Sequence, residues 1–279
     1  MPAFAENLLA AAERNRSLLC VGLDPDPVRM PVADVAEFNR AIIEATADLV
    51  CAYKPNLAFY EAFGPPGLDA LRATLDAIPD WIPVIADAKR GDLDNSSAGY
   101  ARALFDVWDF DAATFHPYMG RDSLAPFLAR PERGILVLCR TSNPSAREFQ
   151  DLQVTPMTGG DTRPMYEYVA MTAAKWNDNG NVGLVVGATY PDELERVRDL
   201  CTDMPILIPG VGAQEGALER SVAAGIDERG RNAIVNASRG VIYAGDDPAT
   251  YPQAARDAAQ HLRDTINRVL EDRGLGWAA

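Results

Sequence analysis

Trp81-Ile82-Pro83-Val84-Ile85-Ala86-Asp87-Ala88-Lys89-Arg90-Gly91-Asp92 is an apolar run that stops at a carboxylate–ammonium–carboxylate cluster. The run is short and apolar throughout rather than alternating, the pattern of a parallel strand covered on both faces. Similar runs recur along the chain: Ser17–Leu23, Leu49–Tyr53, Ala112–Phe115, Ile135–Cys139, Val182–Val186, Ile206–Ile208 and Ala233–Val235. Helical periodicity, or room for a helix, follows each. Helices are expected near Val32–Ala47, Gly67–Ala77, Ser96–Trp108, Met165–Asn177, Pro191–Leu200, Glu215–Ala224 and Gln253–Leu270. A further helix, Asn7 to Asn15, precedes the first strand.

Eight strand–helix units in 279 residues predict an α/β fold, a (β/α)₈ TIM barrel spanning residues 1–279 as a single domain with an extra N-terminal helix. An open doubly wound sheet is the alternative. Thr141–Arg163, broken by Pro144, Pro156, Gly159 and Gly160, reads as a long loop after the fifth strand.

In such a barrel the active site forms where the strands end. Polar residues gather there: Asp24, Lys54 and Asn56, Asp87 and Lys89, Arg140-Thr141-Ser142-Asn143, Pro209-Gly210-Val211-Gly212-Ala213-Gln214, and Asn236-Ala237-Ser238-Arg239. Of 26 Lys+Arg only three are lysine, Lys54, Lys89 and Lys175. A lysine kept in an arginine background suggests a site that needs a compact cation able to release a proton. Asp87 and Lys89, two apart, share one side of an extended strand, and the neighbouring second strand brings Lys54 close. The result is an alternating ring of charges in which adjacent carboxylates keep the lysines protonated. A barrel-mouth ion network that only stabilises is the competing reading.

Gly210-Val211-Gly212-Ala213-Gln214 follows a strand and opens a helix, so backbone N–H groups there can approach an anion. Arg239, after the eighth strand, adds a fork of donors in the sector where barrels bind phosphate. A tight turn with a surface arginine is the plainer alternative. His116, ahead of Pro117, reads as a packed or turn-bonding imidazole, and His261 as a surface residue.

Composition excludes several classes. A net charge of −14 argues against nucleic acid as partner and requires any anion site to concentrate positive potential locally. No apolar stretch approaches the ~20 residues of a membrane span. Two histidines rule out a His-rich metal site. Cys20, Cys51, Cys139 and Cys201 lack CxxC spacing and read as buried small hydrophobes. With no signal peptide at the N-terminus, a cytoplasmic protein is expected.

Taken together, Val21-Gly22-Leu23-Asp24, Lys54-Pro55-Asn56, Asp87-Ala88-Lys89-Arg90-Gly91-Asp92 (a D-x-K-x-x-D), Arg140-Thr141-Ser142-Asn143-Pro144, Pro209-Gly210-Val211-Gly212-Ala213-Gln214 and Ser238-Arg239 resemble, in order, the orotidine 5′-phosphate decarboxylase family, in its longer bacterial (type 2) branch. The match runs from about residue 20 to 240. It implies decarboxylation of orotidine 5′-monophosphate to UMP and CO₂, the last step of de novo UMP biosynthesis, without metal or organic cofactor. It implies a charge network of Lys54, Asp87, Lys89 and Asp92, with Lys89 the proton donor to C6. It also implies substrate contacts from Asp24, Asn56, Ser96, Ser142, Gln214 and Arg239. A homodimer is implied, with Asp92 and Ser96 contributed across the interface; Ser96 stands where threonine is common in the family. Two alternatives stay open: a Mg²⁺-dependent sugar-phosphate decarboxylase or lyase of the same superfamily, which shares D-x-K-x-x-D, and a catalytically silent nucleotide-binding barrel.

Overall fold

The computed structural model describes residues 3–157, 159–211 and 215–277. Its frame is eight parallel strands: β1 Leu19–Leu23, β2 Ala52–Pro55, β3 Ile85–Arg90, β4 Ala112–Phe115, β5 Gly134–Arg140, β6 Val182–Val186, β7 Ile206–Pro209 and β8 Ala233–Ala237. Each pairs in parallel with its sequence neighbour, and β1 pairs with β8. Two isolated parallel bridges, Tyr53–Val84 and Asn56–Asp87, join β2 to β3 and close the ring. The expected barrel is therefore present, and the open sheet is excluded. Closure gives each of the eight barrel strands a partner on both sides.

The strands are buried because helices cover the outside and packed side chains fill the inside. In α2 (Val35–Thr46) the buried positions Phe38, Ile42, Ile43 and Thr46 fall on one face. Asp34 starts this helix by accepting the Glu37 amide, at 2.7 Å. The closing 22-residue helix, Tyr251–Asp272, buries Ala255, Ala259, Ile266 and Leu270 at the same kind of spacing. Phe38 is fully buried and stacks on Tyr243 and Tyr251; truncating such a ring to alanine costs about 3–5 kcal/mol.

The extra N-terminal helix, α1 (Phe4–Asn15), lies across the N-terminal end of the barrel. Phe4 sits over the first residues of β4 and β5, so close that a Cβ on Gly134 would stand 2.4 Å from its ring. Leu8, Ala11 and Ala12 of the same helix are buried with Phe4.

Helices α4 (Pro65–Ala77) and α5 (Asp94–Arg102) fall near their expected positions, whereas others, among them a four-residue helix at Arg239–Ile242 after β8, go beyond the sequence pattern. α3 (Leu57–Glu61) follows β2 directly, started by Asn56, whose side chain accepts the Ala58 amide at 3.1 Å. α6 (Arg121–Leu128) follows β4 and carries Pro126 inside it. The long loop after β5 holds short elements of its own: a turn of helix at Arg147–Gln150 and a two-residue hairpin pairing Gln153–Val154 with Arg163–Pro164. No helix among the described residues is long and apolar enough to cross a membrane.

Candidate active site

At the C-terminal mouth of the barrel, the Asp87 carboxylate is the hub. Its Oδ2 accepts from Lys54 Nζ at 3.0 Å, and its Oδ1 accepts from Lys89 Nζ at 2.5 Å and from Thr114 Oγ1 at 3.0 Å. The two lysines differ in environment. Lys54 is 4% exposed, Asp87 14% and Lys89 51%. The closing bridge between Asn56 and Asp87 sets the register that brings Lys54 over the carboxylate.

The expected extended backbone through Asp87 and Lys89 is not what forms. Pairing of β3 with β4 shifts register between Ala86 and Arg90, and Lys89 has φ +48°. This left-handed geometry is costly for a residue with a Cβ. Thr114 on β4 supports it: its Oγ1 accepts the backbone N–H groups of both Ala88 and Lys89, each at 3.0 Å, while donating to Asp87. Thr114 escaped sequence reasoning because a lone hydroxyl in an apolar strand gives no signal until the register is known.

Electrostatics follow from this packing. Burial pushes the Asp87 carboxyl up, but the ammonium groups of Lys54 and Lys89 outweigh it and hold it down at about 2. Burial pushes the Lys54 ammonium down, but Asp87 and Asp24 overcome it and raise its pKa. Asp87 and Lys54 therefore form an ionised pair. Cys20, beneath it, is driven up to about 12 by burial and remains a thiol.

An open cleft of about 940 Å³ extends from Lys54 and Asp87 past Asp24, Gly210 and Asn236 to Arg239, Arg29 and His261. Asp24 Oδ1 is buried with no hydrogen-bond partner among the described residues, an acceptor suited to a ligand hydroxyl. Gly22 is required behind it, since a Cβ there would stand 1.9 Å from Ser238 Oγ. Tyr243 ties the β1 and β8 ends together: its hydroxyl accepts the Asp26 amide at 2.6 Å and donates to the Asp24 carbonyl at 2.8 Å. Arg29 stacks on the same ring, 4.4 Å from its centroid. Arg29 and Tyr243 are cleft residues that sequence reasoning missed; neither ends a strand. His261 is exposed, as expected, yet borders the cleft.

The other expected residues are placed less directly. Asn56 uses its side-chain oxygen to cap α3. Ser142 is exposed on the loop after β5, its Oγ 3.6 Å from where a Cβ on the cleft residue Gly210 would lie. Like Asn56, Lys89 and Ser142, neither Asp92 nor Ser96 is among the residues that line the cleft; Asp92 Oδ1 accepts the Leu93 amide at 2.7 Å, and Ser96 is an exposed residue of α5 (Asp94–Arg102). Gln214 lies outside the described residues. His116 bonds a turn, its Nε2 3.1 Å from the Gly91 carbonyl. Among the described residues, no three His, Cys, Asp or Glu side chains cluster as a metal site.

A closed parallel barrel carrying a lysine–carboxylate array and an arginine-bordered cleft at its C-terminal mouth defines a (β/α)₈-barrel enzyme built for acid–base work on a polar ligand. Comparison with known proteins gives the particular family. The family model described as Orotidine 5′-phosphate decarboxylase / HUMPS family matches residues 17–254. The chain is 52% identical over 276 residues to an orotidine 5′-phosphate decarboxylase of Thermomicrobium roseum, covering 96% of each chain. It is 49% identical over 279 residues to the one from Roseiflexus sp., covering 97% of this chain and 99% of that one. Among solved structures, the OMP decarboxylase of Leishmania donovani superposes with a TM-score of 0.84 at 42% identity, covering 96% of this chain and 98% of that one. The chain belongs to the orotidine 5′-phosphate decarboxylase / HUMPS family.

Proposed function

We propose that this chain converts orotidine 5′-monophosphate to UMP and CO₂, with Lys89 as the acid that protonates C6. The observation that carries the reading is the array in which one carboxylate, Asp87, accepts from both Lys54 and Lys89. The C6–carboxylate bond breaks, CO₂ departs, and the electron pair stays on C6. Lys89 Nζ gives that carbon its proton and regains one from water, which its 51% exposure allows. Asp87, fixed by two ammoniums and a hydroxyl, lies against the departing carboxylate and disfavours the bound ground state. Lys54 holds Asp87 ionised and adds positive potential where the carbanion develops.

Binding roles follow the cleft. Asp24 accepts a ribose hydroxyl. Arg239, with Gln214, takes the phosphate, whose binding free energy supports the chemistry at a distance. Ser142 reads the pyrimidine edge, and Asn56 holds the chain between β2 and α3 beside Asp87. Asp92 and Ser96 serve the partner subunit of a homodimer.

Purified protein in EDTA should deplete orotidine monophosphate absorbance, and Lys89→Ala should lose turnover while still binding UMP. An unchanged rate in Lys89→Ala removes that residue from the mechanism. Activity that vanishes with EDTA and returns with Mg²⁺ favours the metal-dependent lyase.

A further inference from the structure

We propose that Gln150, oriented by the buried Arg140, is a positioning residue that sets Ser142 against the substrate base. The inference rests on the decarboxylase reading, in which Ser142 touches the pyrimidine. Ser142 Oγ itself makes no hydrogen bond among the described residues, so its placement must come from its neighbours. Gln150 grips the residue before it at two points: Oε1 accepts the Thr141 amide at 2.8 Å, and Nε2 donates to Thr141 Oγ1 at 2.8 Å. Thr141 Oγ1 in turn donates to Asn143 Oδ1 at 2.7 Å, so the network passes both sides of Ser142. Beneath, Gly187 gives room: a Cβ there would come within 2.9 Å of the Ser142 Cβ.

The carboxamide has one productive orientation. Oε1 also accepts from Arg140 Nη1 at 3.2 Å, which leaves Nε2 for the threonine hydroxyl; a flipped amide would set donor against donor. Arg140 is itself enclosed. It ends β5, is 0% exposed, stacks 4.1 Å from the Tyr190 ring centroid and pairs with Asp151 at 3.2 Å. Burying a guanidinium carries a heavy desolvation penalty. Here the cation transmits the rigidity of the barrel to the residue flanking Ser142.

The test is a double-mutant cycle on the full-length protein. Ser142→Ala and Gln150→Ala are each expected to lower kcat/KM about tenfold, because small misplacements of a contact group are costly. The double variant should match Ser142→Ala alone, since both remove one contact. Gln150→Glu keeps the acceptor side and should recover most of the loss. Multiplicative losses, or a lowered Tm in Gln150→Ala with unchanged kcat/KM, overturn the proposal in favour of a plain loop staple. Wild-type kcat/KM in Ser142→Ala overturns it by removing the contact being positioned. Amide hydrogen exchange at Thr141 needs no turnover and should speed about tenfold or more in Gln150→Ala. Unchanged exchange overturns the clamp even in a protein that decarboxylates, whereas faster exchange in a protein with no turnover upholds the clamp and retires the decarboxylase reading.

Discussion

Asp87 and Lys54 face each other across the seam that closes the barrel, 3.0 Å apart, with the ammonium almost wholly withdrawn from water. The pair therefore links stability to pH. The Asp87 carboxyl is lowered from 3.8 to about 2: burial acts to raise it, and the two lysines prevail. A depressed carboxyl adds stability above its unfolded pKa, and that contribution drains away as pH falls from about 4 to about 2. The size is about 2 kcal/mol. The stability difference between wild type and Asp87→Asn, from urea melts at successive pH values, should shrink by that amount across the window. A difference that stays flat would mean the lysines do not hold this carboxylate ionised.

Thr114 is satisfied three times over, accepting two backbone N–H groups and donating to Asp87. Thr114→Val keeps the shape and removes every one of these bonds. Two backbone donors are then left without their acceptor, at about 1–3 kcal/mol each. We expect a loss of about 2–6 kcal/mol in chemical denaturation, together with a lower kcat because the Lys89 backbone is no longer held. Thr114→Ser should remain within about 1 kcal/mol of wild type. Equal stability of the serine and valine variants would refute the role of the hydroxyl.

Lys89 occupies left-handed backbone at φ +48°, where a Cβ is a liability. Lys89→Ala and Lys89→Gly both discard the ammonium, so their difference isolates the backbone. The glycine variant should be the more stable by about 1 kcal/mol, although glycine normally lowers stability relative to alanine within regular structure. Both should be inactive. Strain retained at a residue that does chemistry is the pattern expected of a functional site. Thermal melts of the pair decide it: an alanine variant that matches or exceeds the glycine variant shows the geometry to be unstrained.

Much of this was legible in the sequence because parallel barrels turn strand ends into a common surface. Lys54 and Asp87 could be paired from strand order alone. What escaped has physical reasons. The five-residue α3 is too short to show a period, and only Asn56 as a cap announces it. Pro126, the sixth of the eight residues of α6, removes an intrahelical donor and so disguises the helix in the sequence. The bulge at Lys89 is a register effect between β3 and β4, invisible in either strand alone. Arg29 and Tyr243 reach the cleft from beyond the strand ends, where linear spacing carries no geometry.

Arg29 borders the cleft from a stack on Tyr243 rather than from an ion pair. In a chain of net charge −14, an arginine that makes no ion pair among the described residues and lines the same cleft as Arg239 favours a phosphate. Arg29→Ala should weaken UMP about threefold to fivefold, the size expected of a solvent-exposed charge, and should flatten the salt dependence of binding. Arg29→Lys should not restore it, because the planar stack is lost. Titration calorimetry at low and high salt separates the outcomes; affinity unchanged at low salt would place Arg29 outside the phosphate's field.

Asp92 follows β3 by only two residues, makes no hydrogen bond to Lys54, Asp87 or Lys89 among the described residues, and bonds the adjacent Leu93 amide. Ser96, four residues on, faces solvent from α5. If both serve a neighbouring copy, each site is assembled from Lys89 of one protomer and Asp92 of its partner. Lys89→Ala and Asp92→Ala should then be nearly dead as separate proteins. After mixing and re-equilibration, a random mixture pairs unlike protomers about half the time, and each mixed pair holds one site with both residues intact. Turnover should return towards about a quarter of the wild-type rate per protomer, since one site in two is restored in half of the pairs. The rise should follow the exchange of subunits and be blocked by crosslinking each variant beforehand. A mixture no more active than its parents, under conditions where subunit exchange is shown by labelled chains, would confine Asp92 to its own protomer.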